Sequence, residues 1–436
     1  MKIVNLTDAS MDSLLSGLLQ RDPGSYQEYA QAVQGIVEDV RKRGDEALFA
    51  YTEKFDGVRL TRDTIQVTPK EIEEAISQVP GPLMEAMNAS MENIRSYHQR
   101  QKQNSWFESR PDGTILGQKI TALESVGIYV PGGKAAYPSS VLMNMIPAKV
   151  AGVERILMVT PPGRDGKVNP VILAAAHLAG ATHVYKAGGA QAVAALAFGC
   201  ASIPRVSKIA GPGNMFVALA KKAVYGHVGI DSIAGPSEIL VIADETADPR
   251  YAAADLLSQA EHDELASAIL ITTSRELAER VSRETDRFME TLSRREILKQ
   301  SLDHYGCILV ADSLDQAVEA ANEIAPEHLE ILTANPFEVM TKIRNAGAIF
   351  LGPYSSEPLG DYYAGPNHVL PTNGTAKFFS PLGVDDFVKK SSIIYYSKEA
   401  LERAHERIET FALGEGLTAH ANSVAVRFED EKGGKG

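Results

Sequence analysis

Apolar positions recur at helical spacing near the start of the chain, at Met11, Leu14, Leu15, Leu18 and Leu19, which predicts a short helical arm over residues 1–24. A long helical stretch follows to about Gln103, interrupted by the strand-like RLTRDTIQV and by Pro80 and Pro82. The middle third changes period. SVGIYV, RILMV, HVYKA and VSKIA are short β-rich runs, and each meets Gly or Pro before an apolar helical segment. Those segments are SSVLMNMIPAKVAG, NPVILAAAHLAGA, AQAVAALAFGC and NMFVALAKKAVYG. Strand, glycine and helix in repeated succession predict an open parallel sheet covered on both faces.

The alternation resumes after Pro236 with EILVIAD, a helix from Pro249, SAILITT, a second helix, CILVAD and a helix from Ser313, which predicts a second α/β sheet. Residues 352–381 are rich in Gly, Pro, Asn and Tyr and exceed a plain connector, so they read as a functional loop. Beyond Leu382 come a β-rich run ending SSIIYYS, the helix KEALERAHERIETFAL, the segment GEGLTAHANSVAVRF and a solvated EDEKGGKG tail. An extension after two complete α/β units is expected to pack against something else, a partner subunit in particular.

Composition narrows the function without naming it. The chain has 436 residues, 44% hydrophobic and 23% charged, enough for two or three domains with sizeable cores. A formal net charge of −13 and the lack of a dense Lys/Arg tract argue against nucleic acid and against anionic membranes. No apolar run reaches the roughly 18 residues of a membrane helix, and MKIVNLTDAS lacks the apolar core of a secretory signal, so a cytoplasmic protein is expected. The two cysteines, Cys200 and Cys307, are expected to be buried reduced thiols.

Four segments hold residues able to do chemistry. In DPRYAAADLLSQAEHDE, Asp248 and Pro249 start a helix on which Gln259 and His262, three apart, share a face. Imidazole is a common zinc ligand and an amide oxygen a rare one, so the pair fits either a metal or a satisfied histidine on an acidic face. In EIAPEHLEI, Pro326 stops the helix and leaves Glu327 and His328 at a turn before LEILT. A carboxylate and an imidazole titrate at different pH and suit two proton transfers; such pairs also occur on plain exposed turns. In GPYSSEPLGDYYAGPNHVLPT, Asp361 and His368 stand among rigid turns, where Asp361 reads as a hard oxygen ligand or as an Asx turn. In FALGEGLTAHANS, Gly414 and Gly416 leave Glu415 exposed, and His420 falls on a new helix. His98, His177, His183, His227, His304 and His405 lack polar company and read as structural. No G-x-G-x-x-G follows a strand, but the turns YVPGGKAAYP, KAGGAQAV and IAGPGNMF would let backbone N–H groups approach a phosphate. Ser237 lies where one sheet ends and the next begins, a favoured place for a crevice.

Seven ordered blocks turn these fragments into one pattern: SVGIYVPGGKAAYPSSVLMNMIPAKVAGV, GPGNMFVALAKK, DSIAGPSEILVIAD, LLSQAEHDELASAILIT, APEHLE, GDYYAGPNHVLPT and LTAHANSV. Over essentially the whole chain they resemble the histidinol dehydrogenase family. The resemblance implies one zinc per subunit, held by Gln259, His262, Asp361 and His420, and a catalytic pair in Glu327 and His328. It implies substrate contacts at Ser237, His368 and Glu415 beside His328 and the metal ligands, and NAD contacts at Tyr129, Gln191 and Asn214. The fold it implies is α/β, with two incomplete Rossmann-like domains and two small terminal pieces. On that scheme residues 1–24 form the helical arm, 25–129 with 238–381 the catalytic and metal-binding domain, 130–237 the NAD-side domain, and 382–436 an extension. The implied assembly is an intertwined homodimer whose C-terminal extensions complete each other's active sites. The implied reaction, closing histidine biosynthesis, oxidises L-histidinol to L-histidine through bound L-histidinaldehyde with two NAD. A paralogous zinc and NAD dehydrogenase of another amino alcohol or polyol is the nearest alternative, followed by a zinc hydrolase and a non-catalytic binding protein.

Overall fold

A computed structural model describes residues 1–19, 27–132 and 136–429. Leu19's side chain, Gly133, Lys134 and Ala135 of the first glycine turn, and the tail from residue 430 lie outside the described residues, as do 20–26 of the arm. The strands are β1 (Lys2–Asn5), β2 (Trp106–Ser109), β3 (Ile115–Ala122), β4 (Ser125–Tyr129), β5 (Arg155–Thr160), β6 (His183–Lys186) and β7 (Lys208–Ala210). They continue as β8 (Gly229–Ile230), β9 (Glu238–Ala243), β10 (Ser267–Thr272), β11 (Gly306–Val310), β12 (His328–Leu332), β13 (Ala348–Leu351) and β14 (Val388–Tyr395).

The chain divides into two compact units. The larger, residues 1–102 and 123–387, contains both expected parallel sheets. One has the order β6-β5-β4-β7-β8, the other β1-β11-β10-β9-β12-β13. All their pairings are parallel, and β4, β5, β9, β10 and β12 are buried almost throughout, as strands covered on both faces must be. The smaller unit, residues 103–122 and 388–436, is built on the antiparallel sheet β14-β3-β2 and the helices Lys398–Glu402, His405–Gly414 and Thr418–Ala425.

The structure departs from the sequence reading in four places. Residues 2–5, expected within the helical arm, are an edge strand paired with β11, and among the described residues of the arm only Asp8–Leu19 is helical. RLTRDTIQV forms no strand; it is a loop with a turn over residues 62–64 and a single bridge, Gln66 to Tyr185. Residues 25–129 do not join the sheet of 238–381. β4 is the central strand of the five-stranded sheet, and Val33, Val37, Ala47 and Leu48 of the early helices share a core with Val159, Ala194 and Ile209. The helices Pro69–Gln78 and Gly81–Gln99 cover its other face through Ala75, Met87 and Ile94. Finally, the extension's sheet takes two of its three strands from residues 103–122, so that segment groups with residues 388–436. Cys200 and Cys307 are both free, and both half-buried rather than fully so.

Candidate functional site

Each parallel sheet reverses its strand order once, at β4/β7 in one and at β9/β12 in the other, and the candidate residues gather at these two reversals. The β9/β12 cluster sits at the amino ends of the strands. Ala325, at φ 52, ends the helix Leu314–Ile324 and releases Glu327 just before β12, whose first residue is His328. The Glu238 N–H, at the start of β9, donates to Glu327 Oε2 at 2.8 Å. The Glu238 carbonyl accepts from His328 Nδ1 at 3.0 Å. That bond places a proton on Nδ1 and leaves Nε2, which is buried without a hydrogen-bond partner, as the ring nitrogen that faces the cluster. Glu327 and His328 are 8% and 3% exposed, so the exposed-turn reading of this pair is excluded.

Gln259 is the penultimate residue of the helix Pro249–Ala260, where its amide nitrogen lies 3.4 Å from Glu327 Oε2 and 3.3 Å from His328 Nδ1. Its amide oxygen is buried with no hydrogen-bond partner. His262 stands past the helix end rather than on its face, in the turn closed by its N–H to the Gln259 carbonyl. From the loop after β13, the helix Glu357–Tyr362 brings Asp361 Oδ1 to 3.9 Å from His328 Nε2 and 3.6 Å from His368 Nδ1. Ser140 Oγ closes the far side of His368 at 3.5 Å. Ser237, half-buried, immediately precedes β9. Glu415 and His420 belong to the smaller unit, where both are exposed.

One residue that the sequence reading passed over belongs here. Glu357 lies one helical turn before Asp361, and Glu357, Asp361 and His262 each present a ligand atom within 4.8 Å of the other two. Its N–H donates to Glu330 Oε1 at 2.7 Å and Ser258 donates to its Oε2 at 3.1 Å, while Oε1 has no partner. Its spacing of four from Asp361 in SSEPLGDYY was the available signal, as was a lone charge, Glu330, inside the apolar run LEIL.

The electrostatics follow from burial and from several acids close together. Burial lowers the His328 imidazole, but the carboxylates of Glu327, Asp361 and Glu357 outweigh it and raise it well above the usual histidine value. Burial, then the neighbouring Asp361 charge, pushes Glu357 up to about 8. Asp361 resists its own burial because His328 and His368 hold it down to about 2. An orphaned carboxylate oxygen, an ionised aspartate and an imidazole around one point, with the orphaned Gln259 amide oxygen three residues before His262, are a mixed N/O set that suits zinc. Three of the four ligands implied by resemblance, Gln259, His262 and Asp361, therefore lie in the larger unit, and His420 in the smaller.

The second gathering lies at the carboxyl ends of β4 and β7, along a cleft of about 1930 Å³. Tyr129, Gln191 and Asn214 all line it. The Gly189 N–H donates to the Tyr129 hydroxyl at 3.1 Å, and burial pushes that phenol up to about 12. Asn214 caps the helix Met215–Val224 by accepting from the N–H groups of Phe216 and Val217. Gly211, at φ 118, passes so near the Tyr129 carbonyl that no Cβ fits there.

The family model described as histidinol dehydrogenase matches residues 19–428. A histidinol dehydrogenase of Halalkalibacterium halodurans is 58% identical over 433 residues, covering 99% of this chain and 100% of that protein. That of Bacillus subtilis is 56% identical over 427 residues, 98% and 99% of the two chains. The crystal structure of histidinol dehydrogenase from Elizabethkingia anophelis superposes with a TM-score of 0.93 at 38% identity, covering 99% of each chain. The chain belongs to the histidinol dehydrogenase family.

Proposed function

We propose that this chain oxidises L-histidinol to L-histidine in two successive hydride transfers to NAD, with Glu327 and His328 managing the protons. Family membership supports an NAD-dependent oxidoreductase acting on histidinol and leaves the hydrolase alternative without support. The single observation that carries the division of roles is the fixing of both groups by Glu238: its N–H holds Glu327, its carbonyl orients His328, and His328 Nε2 remains free. His328 Nε2 accepts the alcohol proton as hydride leaves the carbon. Glu327 draws a proton from water as it adds to the aldehyde, giving the gem-diol that loses the second hydride. Each NAD accepts one hydride, so the aldehyde stays bound between the two steps.

Gln259, His262 and Asp361, with His420, would hold a zinc ion, and Glu357 stands against the same set. Bound there, zinc supplies a template for the substrate's amine and imidazole nitrogens and a positive charge that offsets the carboxylate field on His328. His368 and Glu415 orient the imidazole, and Ser237, just before β9, contacts the substrate. Tyr129, Gln191 and Asn214 hold NAD in the cleft at β4/β7.

The working form is a homodimer in which the partner copy supplies His420 and Glu415. Two observations support this: the larger unit contains only three of the four ligands, and the smaller unit exposes Phe107, Ile394 and Phe411 by more than 60% each. Among the described residues no helix is long and apolar enough to cross a membrane, which fits the proposed cytoplasmic location. Mixing the chain with NAD and histidinol should raise absorbance at the NADH wavelength by two equivalents per histidinol. One equivalent with free aldehyde released, or none, would refute the assignment.

A further inference from the structure

The cleft at β4/β7 holds a carboxylate that no described group answers. Asp56 is the last residue of the helix Asp45–Asp56, and its Oδ2 is sealed from solvent with no hydrogen-bond partner. The other acids along the cleft are accounted for: Asp39 is bonded to Arg43, Glu71 to Lys186 and Thr68, Glu38 to Gln34, Glu74 to Lys70, and Asp165 to the Lys167 N–H. Asp56 also occupies an electrostatically poor place, since the carboxyl end of a helix carries partial negative charge. Burial without a donor pushes it up to about 6. Its charge reaches Tyr129, where after burial it further discourages ionisation of the phenol. A group that gains nothing from the fold at its own site is suited to a ligand that brings the donors.

We propose that Asp56 accepts hydrogen bonds from the ribose hydroxyls at the adenosine end of NAD and thereby selects NAD over NADP. This rests on the reading of the cleft as the NAD site. A carboxylate is the chemical choice for a vicinal diol, because its two oxygens accept from both hydroxyls, and it repels the 2′-phosphate that distinguishes NADP. The same division between acid and diol operates in nucleotide-binding folds that carry the G-x-G-x-x-G turn, which this chain lacks. Here the acid comes from a helix packed on the sheet instead of from the end of a sheet strand.

The test is equilibrium binding of NAD, NADP and 2′-deoxy-NAD to the intact protein and to Asp56→Asn. In the unaltered chain NADP and 2′-deoxy-NAD should each bind roughly 10- to 100-fold more weakly than NAD, the range expected for losing a hydrogen bond to a charged group. Asp56→Asn should weaken NAD by about that factor, weaken 2′-deoxy-NAD less because only its 3′-hydroxyl contact is left to lose, and narrow the gap to NADP. The nucleotide series in the unaltered chain needs no variant, so a folding defect cannot hide the answer. Thermal melting of Asp56→Asn adds a check: a midpoint equal to or above the parent's fits a residue held for binding, and a large fall marks it as structural and overturns the proposal. Equal affinity for NAD and NADP, or equal weakening of NAD and 2′-deoxy-NAD by the substitution, also overturns it. If NAD binding withstands both Gln191→Ala and Asn214→Ala, the cleft itself has been misassigned and both readings fall.

Discussion

The two parallel sheets reverse strand order in the same way but use opposite edges. In the five-stranded sheet the cleft opens at the carboxyl ends of β4 and β7, where the helices Gly189–Phe198 and Met215–Val224 begin. Helix starts carry partial positive charge and unpaired N–H groups, which suits the pyrophosphate of a dinucleotide. In the six-stranded sheet the cluster forms at the amino ends of β9 and β12, where the helices Pro249–Ala260 and Leu314–Ile324 finish. Helix ends carry partial negative charge, and Glu327 and Asp361 add to it there, which suits a metal cation and a cationic amine. One architecture thus offers an anion-binding edge and a cation-binding edge. The residues 363–373 tie them together: Asn367 donates to the Met143 carbonyl at 2.7 Å, and the Asn373 N–H donates to Glu238 Oε1 at 3.2 Å.

The comparison is broken most severely at the cation edge. Removing the base with His328→Ala should slow histidinol oxidation by roughly 100- to 10,000-fold, with less effect on added histidinaldehyde. Glu327→Gln should show the reverse bias, the first NADH in a single turnover forming faster than the second. Equal loss of both hydride transfers in Glu327→Gln would make that carboxylate a support for His328 instead. Next in size come the metal contacts. Gln259→Ala or Asp361→Ala should weaken zinc roughly 10- to 100-fold in a chelator competition, and Glu357→Gln by about 10-fold or less. Chelation should end activity while far-ultraviolet circular dichroism stays nearly constant; unfolding would make the metal structural.

A smaller effect belongs to pH. Asp361 falls from an ordinary value near 3.8 to about 2 in the folded chain, so its contribution is complete above about pH 4 and is lost as pH falls toward 2. Acid unfolding of the metal-free protein should therefore lose part of its steepness in that window in Asp361→Asn; an unchanged curve would deny the histidine contacts. The mildest test concerns the anion edge. Asn214→Ala removes a helix cap, should cost about 1 kcal/mol of stability and should raise the NAD requirement with little effect on metal content.

How much of this could be read from the chain depends on how local each cause is. The β-rich runs beginning at Ser125, Arg155, His183 and Glu238 announced the two sheets, because a strand buried on both faces has to be apolar along its length. Glu327 and His328 were legible because Pro326 marks the helix stop beside them. β1 was not: four residues have no period to detect, and their partner strand starts about 300 positions later. The helices of residues 27–99 show which of their faces is apolar, but amphipathicity does not say which sheet receives it. Glu357 hid in a loop whose glycines and prolines drew attention to turn geometry. Asp56 was invisible for a different reason, since only the tertiary structure shows that nothing bonds it.

The pairing of β1 with β11 also sets a schedule for the newborn chain. Lys2 and Ile3 leave the ribosome well before Cys307 and Ile308, the residues they pair with. At roughly 5 to 20 residues per second, that edge waits roughly 15 to 60 s for its partner. The five-stranded sheet and the helices that cover it are complete by Ile230 and can consolidate first. During the interval KIVN and the helix Asp8–Leu19 lack the strands they pack on, and the six-stranded sheet is the later half to assemble.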